Sequence, residues 1–352
     1  MFMVSTAGAS ISPCVFPVSS PPPALSLSLS LSLSLPIIPN IRLYMHSPKK
    51  YELKLEPSFN LDLTLNEAIQ ELWSLDVNRL TPDVDYVLNV QRGKKPYWKE
   101  DNAPDPLFTR VDKSVWRDRP TYSTFIALLD NYKAETGQSE HVSNVERNEI
   151  WSFLNAISQT PSIQFCHKYC LKKLGTSKVP SDIKGFLKLL HEIWFQLYTR
   201  ERGGRNDSSG FEHVFVGEIK DGNVSGFHNW IQFYLEEKKG TLDYRGYIKP
   251  RSKNDSNATS DDHILTLQFR WNDIEKFVGT SFIGVSPEFE IALYTMCFLL
   301  GNDANDETIE ESLNNIDLDT GTGDVFGLKI RCYKMARNKI GTAFPEATYH
   351  YD

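Results

Sequence analysis

The chain has 352 residues, of which 40% are hydrophobic and 24% are charged, an ordinary composition for a globular protein. Its formal net charge of −7 excludes a surface that is basic throughout, so any contact with nucleic acid must rest on a local basic groove. The five cysteines are scattered and odd in number, which argues against a disulfide framework and favours reduced thiols.

Residues 1–50 begin with a low-complexity segment. No side chain in residues 1–41 is charged, and Leu alternates with Ser from Leu25 to Leu35. This composition lacks the basic region of a secretory signal and is too polar for a membrane-spanning helix. We expect a disordered leader over residues 1–50, with Met45 as a hypothetical true start. Without a signal peptide the compartment stays open, and the cytoplasm or nucleus is favoured.

Residues 51–202 have the apolar spacing of a mainly helical region. A stripe runs from Leu65 to Trp73, and further helices are predicted at 121–133, 145–158, 161–174 and 182–200. Cys166, His167 and Cys170 have the spacing of half a zinc site, but no second pair completes it, so a buried helix face is the favoured interpretation. This half shows no chemistry of its own and is expected to support the second half.

Residues 203–352 have the pattern of strands mixed with helices. Two histidines lie near the start of this region: His213 follows Gly-Phe-Glu, and His228 follows Gly-Phe. The alternation of apolar and polar residues after His213 predicts a strand. On a strand, Glu212 and Glu218 would share one face and His213 would point to the other. The two glutamates would then orient a neighbour or bind a structural metal; the alternative is that they are paired surface carboxylates.

The second histidine, His228, is predicted to open a helix that ends at Gly240. Free N–H groups at the start of that helix would suit an anion such as phosphate. Two imidazoles brought together can serve as general acid and general base near neutral pH. The alternative is that both histidines are packed, hydrogen-bonded core residues.

The remaining pattern predicts strands at 242–248 and 264–271, an apolar strand that ends at Val285, and a helix at 287–300 started by Ser286 and Pro287. Residues 302–324 carry eight carboxylates and no Lys or Arg, which predicts a solvated loop. Five cations follow, which form either a phosphate-tracking patch or an ordinary solvated face: Lys329, Arg331, Lys334, Arg337 and Lys339.

These motifs resemble the EndoU (XendoU-type) family of uridylate-specific endoribonucleases. The histidine segments GFEHVFVGE and SGFHNW carry the resemblance, together with GVSPEFE at 284–290, IGT at 340–342 and DNY at 130–132. The similarity covers about residues 60–350. It implies an α+β fold whose mainly helical N-terminal part, 51–202, packs on a C-terminal catalytic part, 203–352, of antiparallel strands and a few helices.

The resemblance also implies the chemistry. His213, His228 and Lys276 match the family's catalytic set, although Lys276 alone, in a predicted turn between strands, would be an ordinary surface residue. One histidine, assigned as His228, would deprotonate the ribose 2'-hydroxyl, and His213 would protonate the leaving 5'-oxygen while Lys276 stabilises the charge. Spacing leaves the acid and base roles open. The products would be a 2',3'-cyclic phosphate and a 5'-hydroxyl, and DNA would not be cut.

The family's uridine-binding positions fall on Thr342 and Phe344, with Thr280 and Ser281 as weaker candidates for the same pocket. Thr342 would bind the base edge and Phe344 would stack on the ring. Viral relatives carry Tyr at the position of Phe344, so a hydrogen bond made by that hydroxyl would be lost here.

Members of this cellular type commonly depend on Mn2+, and some respond to Ca2+; the resemblance implies such an ion outside the bond-breaking step. The implied partner is single-stranded, U-containing RNA, with no membrane association and a monomeric enzyme. Two alternatives remain at this point: a metal-dependent phosphoesterase with the same histidines and glutamates as ligands, and a non-catalytic RNA-binding protein.

Overall fold

The computed structural model describes residues 58–200, 206–249, 262–301, 311–320, 325–336 and 338–351. Within them, residues from Pro57 onward belong to one compact unit with a continuous hydrophobic core. The expected leader at 1–50 lies outside the described residues. None of the described helices is both long and apolar enough to cross a membrane.

Eight α-helices form in the described residues, and most are started by a side-chain cap. They are α1 (Leu65–Ser74), α2 (Ser114–Asp118), α3 (Pro120–Ile126), α4 (Asn144–Ile157), α5 (Pro161–Leu174), α6 (Ile183–Trp194), α7 (Trp230–Lys239) and α8 (Pro287–Leu300). Thr64 and Glu67 form a reciprocal capping box at the start of α1. Ser286 accepts a hydrogen bond from the Phe289 amide at the start of α8, as its sequence predicts.

The predicted helices at 145–158 and 161–174 match α4 and α5 within one residue. Those predicted at 121–133 and 182–200 were too long, since α3 and α6 end at Ile126 and Trp194. Beyond α6, Tyr198 exchanges backbone hydrogen bonds with the 207–208 segment, which draws the chain out of the helix.

The strands form four sheets in the described residues. They are β1 (Tyr86–Leu88), β2 (Gly93–Lys94), β3 (Phe108–Val111), β4 (Glu218–Lys220), β5 (Asn223–Ser225), β6 (Leu242–Ile248), β7 (Ile264–Trp271), β8 (Ile274–Phe282), β9 (Glu311–Asp319), β10 (Val325–Ala336) and β11 (Lys339–Tyr351). One sheet has the order β2-β6-β7-β8 and another β11-β10-β9, while β1 pairs with β3 and β4 with β5. All pairs are antiparallel except β2 with β6. The expected α+β class is confirmed.

The prediction of a solvated loop at 302–324 was wrong for its centre, because residues 311–319 form β9 and pair with β10. Ile316 and Leu318 are buried, whereas Asn315, Asp317 and Asp319 are exposed. The segment therefore alternates as a strand does when one of its faces is exposed to solvent. The acidic side chains occupy the solvent side of that strand and do not prevent pairing.

Helix α8 lies at the centre of the core, and every residue from Pro287 to Phe298 is buried. It packs against α5, where Cys166 and Cys170 lie buried as free thiols. Cys297 on α8 and Cys332 on β10 are also buried and free. The two cysteines of α5 therefore face the core, as the interpretation of a buried helix face predicts.

Candidate active site

The two histidines of the Gly-Phe motifs are joined by a tight backbone contact. The amide of Phe227 donates to the carbonyl of His213 at 3.0 Å, and the amide of His228 donates to Val214 at 2.8 Å. Gly226 makes this approach possible, because a Cβ at that position would lie 1.7 Å from the His213 oxygen. Gly226 also has φ +63°, a conformation that favours glycine.

His213 lies in a π-helix, Glu212–Val216, and the prediction of a strand at this position was wrong. The amide of Gly217 donates to Glu212 at 2.8 Å and closes the wide turn. All five residues of the π-helix are buried, so the alternation in the sequence does not mark a wet and a dry face. The inference that Glu218 lies opposite to His213 fails with the strand.

Glu218, on β4, instead contacts His213 directly. His213 Nδ1 bonds to Glu218 Oε2 at 2.6 Å, Arg200 Nε lies 3.2 Å from the same oxygen, and Ser208 donates to Oε1. Burial alone would raise the pKa of Glu218, but these partners hold it below its usual range. Because an ionised carboxylate only accepts, Nδ1 carries the proton and the neutral ring keeps its lone pair on Nε2.

The pKa of His213 is lowered overall, although opposing effects act on it. Burial lowers the pKa of His213, as do the nearby charges of Arg200 and Lys276, while Glu218 raises it. Glu212 behaves differently from Glu218: its Oε2 has no hydrogen-bond partner, and burial with two neighbouring carboxyls raises its pKa to about 10. Glu212 is therefore neutral at pH 7, whereas Glu218 is charged.

His228 lies directly before the Asn229 cap of α7 and is not itself helical. Its Nδ1 donates to the carbonyl of Thr280 at 2.9 Å, which leaves Nε2 as the accepting nitrogen. Burial and the charge of Lys276 place the pKa of His228 well below its usual range. The expected free N–H groups at this helix start are not available, because the Asn229 side chain accepts from Ile231 and Gln232.

Lys276 lies on β8 and not in a turn, since the turn ends at Asp273. Its ammonium contacts the carbonyl of Val224, on β5, at 3.5 Å, and burial lowers its pKa to about 8. The charge of Lys276 lowers the pKa of both His213 and His228. The structure thus brings the two imidazoles and this ammonium within electrostatic reach of one another.

Thr342 and Phe344 share one face of β11, because they are two residues apart on a strand. The Phe344 ring stacks on His228 with centroids 4.7 Å apart and planes at 13°. The Thr342 hydroxyl is buried without a hydrogen-bond partner. A buried hydroxyl left unpaired, two residues from a ring that stacks on His228, is a feature expected of a group that binds a ligand.

Thr280 and Ser281, the weaker candidates, are residues of β8, and Thr280 contacts His228. The hydroxyl of Thr280 pairs with that of Thr266 at 3.0 Å, so Thr280 serves the site through its carbonyl. Ser281 is buried beside it.

The predicted basic patch lies on β10 and β11, with Arg337 outside the described residues. Arg331 forms an ion pair with Glu346 at 2.6 Å, and Lys339 donates to the carbonyl of Leu197 at 3.1 Å. Two of the cations are thus engaged within the protein. Lys329 is partly exposed on the same hairpin.

Comparison with known proteins shows the family of this chain. Residues 64–345 match the profile of the family described as "Endoribonuclease XendoU". This chain belongs to the XendoU endoribonuclease family. It is 42% identical over 290 residues to "Uridylate-specific endoribonuclease B" of Danio rerio, which covers 81% of this chain and 96% of that protein.

Two further similarities support membership of the XendoU family. The chain is 45% identical over 292 residues to "Poly(U)-specific endoribonuclease-A" of Xenopus laevis, covering 81% of this chain and 94% of that protein. A solved structure described as "The structure of XendoU: a splicing independent snoRNA processing endoribonuclease" has a TM-score of 0.68 and 41% identity, and the match covers 80% of this chain and 96% of that one. The expected family resemblance is confirmed.

The sequence analysis missed two residues of this XendoU-family site, Arg200 and Ser208. Arg200 reaches Glu218 and also donates to the carbonyl of Gly341 at 2.6 Å, so it links the His213 side of the site to the strand of Thr342. Arg200 and Ser208 flank a Gly- and Asn-rich loop, and that turn composition was the available signal that the two residues meet.

Glu212 and Glu218 do not fit a manganese site in this fold. Both oxygens of Glu218 are held by protein partners, one of them the cationic Arg200, and Glu212 keeps its proton. Across the ranges that the structure describes, no group of three or more His, Cys, Asp or Glu side chains is arranged to hold a metal. Glu218 instead orients His213 and raises its pKa against the effect of burial.

Proposed function

We propose that this XendoU-family protein is a uridylate-specific endoribonuclease that cleaves single-stranded RNA by attack of the ribose 2'-hydroxyl. The names of its relatives describe uridylate- and poly(U)-specific endoribonucleases. The observation that carries the proposal is the grouping of His213, His228 and Lys276, in which each imidazole has Nδ1 engaged and Nε2 left for the substrate. One imidazole that accepts a proton and one that donates a proton are what this transesterification requires.

His228 suits the role of general base. A base must begin neutral, and burial with the Lys276 charge keeps the pKa of His228 well below its usual range. The Thr280 carbonyl fixes the proton on Nδ1, so Nε2 presents its lone pair to the 2'-hydroxyl. The 2'-oxygen then attacks the adjacent phosphorus as its proton moves to His228.

His213 suits the role of general acid. Burial lowers the pKa of His213 overall, and the bond from Nδ1 to ionised Glu218 opposes that shift by stabilising the imidazolium. The proton on Nε2 of that imidazolium passes to the 5'-oxygen as the phosphorus–oxygen bond breaks. One proton is taken and one is delivered, which leaves a 2',3'-cyclic phosphate and a 5'-hydroxyl. DNA lacks the attacking hydroxyl and is not a substrate.

Lys276 stabilises the charge that builds on the phosphoryl oxygens. Its ammonium is buried, and a fixed charge in a water-poor site favours the pentacoordinate state over the ground state. With a pKa of about 8, Lys276 is mostly protonated at pH 7.

Thr342 and Phe344 supply the choice of uridine. The unpaired Thr342 hydroxyl can donate to or accept from the edge of uracil, and Phe344 offers a ring face beside His228. Ser281 lines the same region. A dependence on Mn2+ is a separate expectation, and no step is assigned to the ion.

A metal-dependent phosphoesterase is the second candidate, and it would use His213, His228, Glu212 and Glu218 as ligands. The contact of Arg200 with Glu218 counts against it, since a guanidinium occupies the place that a metal would take. A non-catalytic RNA-binding protein is disfavoured because all three catalytic groups are present.

The proposal is tested by mapping cuts in a mixed-sequence RNA with the purified protein, with and without Mn2+. We expect cuts at uridines and loss of cleavage in His228→Ala. The matched control is His167→Ala, which removes another buried histidine, bonded to Pro180 at 2.7 Å and stacked on Phe186. Cuts without regard to base, or full activity in His228→Ala, would overturn the proposal.

A further inference from the structure

Tyr97 and Trp98 form an unusual surface in a protein that buries most of its rings. The two residues are 72% and 48% exposed, well above the other aromatic residues whose burial the structure describes. They are consecutive, in the loop that follows β2. Val278, on β8, is also exposed.

The loop that presents these rings is held by the sheet beneath it. Gln268 donates to the carbonyl of Trp98 at 2.9 Å, and Arg245 donates to that of Lys99 at 3.0 Å. The ammonium of Lys94 returns to the carbonyl of Arg245 at 3.2 Å. The backbone around the two rings is therefore fixed by strands β6 and β7. A ligand that binds there would lose little affinity to the ordering of this loop.

Tyr97 adopts a left-handed backbone conformation with φ 65°. Bulky residues rarely take this conformation because the side chain crowds the backbone, and where it persists it often marks a functional position. Here the strain places an aromatic ring in solvent, where it contributes little to the core.

The surface lies beside the catalytic strand. The Tyr97 ring is 5.7 Å from that of Phe277, and Phe277 directly follows Lys276 on β8. Strand β8 is the terminal strand of its sheet in the described residues. Neighbouring residues of a strand point to opposite faces, so Phe277 and the Tyr97 ring lie on the face of the sheet away from Lys276. An RNA strand that leaves the site would reach these rings by passing over the edge strand β8.

The charges around the rings suit a polyanion. Lys95 and Lys99 are exposed on either side, and the Lys95 ammonium lies 5.6 Å from the centre of the Trp98 ring. The neighbouring carboxylate of Asp101 is paired with Arg245 at 3.3 Å. Exposed rings flanked by lysines are the combination with which proteins bind single-stranded nucleic acid, because every base has a face that can stack.

We propose that Tyr97 and Trp98, with Lys95 and Lys99, form a stacking platform for unpaired bases of the RNA that flank the scissile uridine. The platform is separate from the uridine pocket of Thr342 and Phe344. It rests on the proposed function, since its ligand is the substrate of that site, and it predicts that RNA is bound over more than the reacting dinucleotide.

The test compares two substrates in steady-state cleavage: a uridylyl-adenosine dinucleotide and a 14-nucleotide oligoadenylate with one central uridine. In a Tyr97→Ala, Trp98→Ala double variant, KM for the 14-mer should rise about tenfold or more, as expected for loss of stacked bases. Cleavage of the dinucleotide should stay within twofold of the wild type. Trp98→Phe keeps a ring and should behave as the wild type. The matched control is Val84→Ala, which shortens an exposed side chain elsewhere.

Binding of a 14-mer with 2'-deoxyuridine at the centre, followed by fluorescence anisotropy, separates this inference from the catalytic one. Weaker binding by the double variant supports the platform even if the wild-type protein cleaves neither substrate. Unchanged binding and unchanged KM for the 14-mer would overturn it. An equal loss on both substrates would also overturn it, since the loop would then act through the position of Lys276.

Discussion

Glu218 is the residue through which the charges of the site are ordered. It accepts from His213 and lies against Arg200, so one buried carboxylate fixes the tautomer of the acid and pairs with a half-buried cation. Glu212, six residues away, is uncharged in the same region. Side chains of the same type thus differ in protonation because their partners differ.

We expect Glu218→Gln to lower kcat/KM at pH 7 at least tenfold, within the range for loss of effective general acid catalysis. The carboxylate raises the pKa of His213, so its removal lowers that pKa and the protonated fraction at neutral pH. The alkaline limb of the pH–rate profile should therefore move to lower pH. An unchanged alkaline limb of the pH–rate profile would show that Glu218 does not act through His213. Thermal unfolding of the variant is the control for loss of the fold.

The substitution Thr342→Val tests whether Thr342 recognises the uracil base. The substitution keeps the shape and removes a hydroxyl that is buried without a partner, so the free energy of unfolding should stay the same or rise. The preference for cleavage at uridine over cytidine should fall about tenfold, the usual effect of one lost hydrogen bond to a ligand. If the variant keeps its preference for uridine in a competition assay with both bases, Thr342 does not recognise the base.

At this scale, the motifs predicted His213 and His228 as candidates, and the family resemblance added Lys276, but the contacts that hold them were not predicted. Arg200 and Ser208 became visible only when the chain on either side of the 201–205 loop was seen to pair. Such contacts depend on tertiary structure, which no local spacing encodes.

At the scale of elements, the site rests on two unusual pieces of backbone, the π-helix and the turn at Gly226 and Phe227. Both turn residues have positive φ, 63° and 64°. A non-glycine residue such as Phe227 is strained there, and the hydrogen bond from its amide to His213 helps to hold it.

Gly226→Ala should destabilise the protein by at least about 2 kcal/mol and abolish cleavage, because the new Cβ would displace the His213 carbonyl. Gly222→Ala is the matched control: it has φ +70° but open space around it, so it should cost about 1 kcal/mol and keep activity. Chemical denaturation and a cleavage assay distinguish the two. Equal effects of both substitutions would contradict the role given to the turn.

Elements with clear side-chain periodicity were predicted well. The predicted strands 242–248 and 264–271 and the helix 287–300 have the observed bounds, since alternation, or a Ser-Pro start with an apolar stripe, defines them. The π-helix was predicted as a strand, because every residue in it is buried and its apolar–polar alternation does not mark two faces. Strand β9 was predicted as part of a loop, because its acidic residues obscured the alternation.

At the scale of the whole molecule, one continuous core surrounds α8 and encloses several carboxyls. Glu290 is fully buried, accepts from Asn229 at 2.7 Å, and so connects α8 to the residue next to His228. Burial raises the pKa of Glu290 from 4.5 to about 8. The stability of the fold is therefore linked to pH through groups outside the reaction.

In the unfolded chain Glu290 ionises near pH 4.5, whereas in the fold it keeps its proton up to about pH 8. Between these values the folded state binds more protons, so stability falls as pH rises by up to about 1.4 kcal/mol per unit for this group. Glu290→Gln removes the effect. Its Tm relative to the wild type should rise from pH 5 to pH 8 and level off above, and a constant difference in calorimetry would contradict this.

The central claim, that two imidazoles and one ammonium act on a single phosphodiester, is tested most directly by end-group analysis of an oligouridylate cleaved by the wild-type protein. The account predicts 2',3'-cyclic phosphate and 5'-hydroxyl ends, with no cut at a 2'-deoxyuridine. Fragments with 3'-hydroxyl ends, or cleavage at the deoxy position, would contradict it.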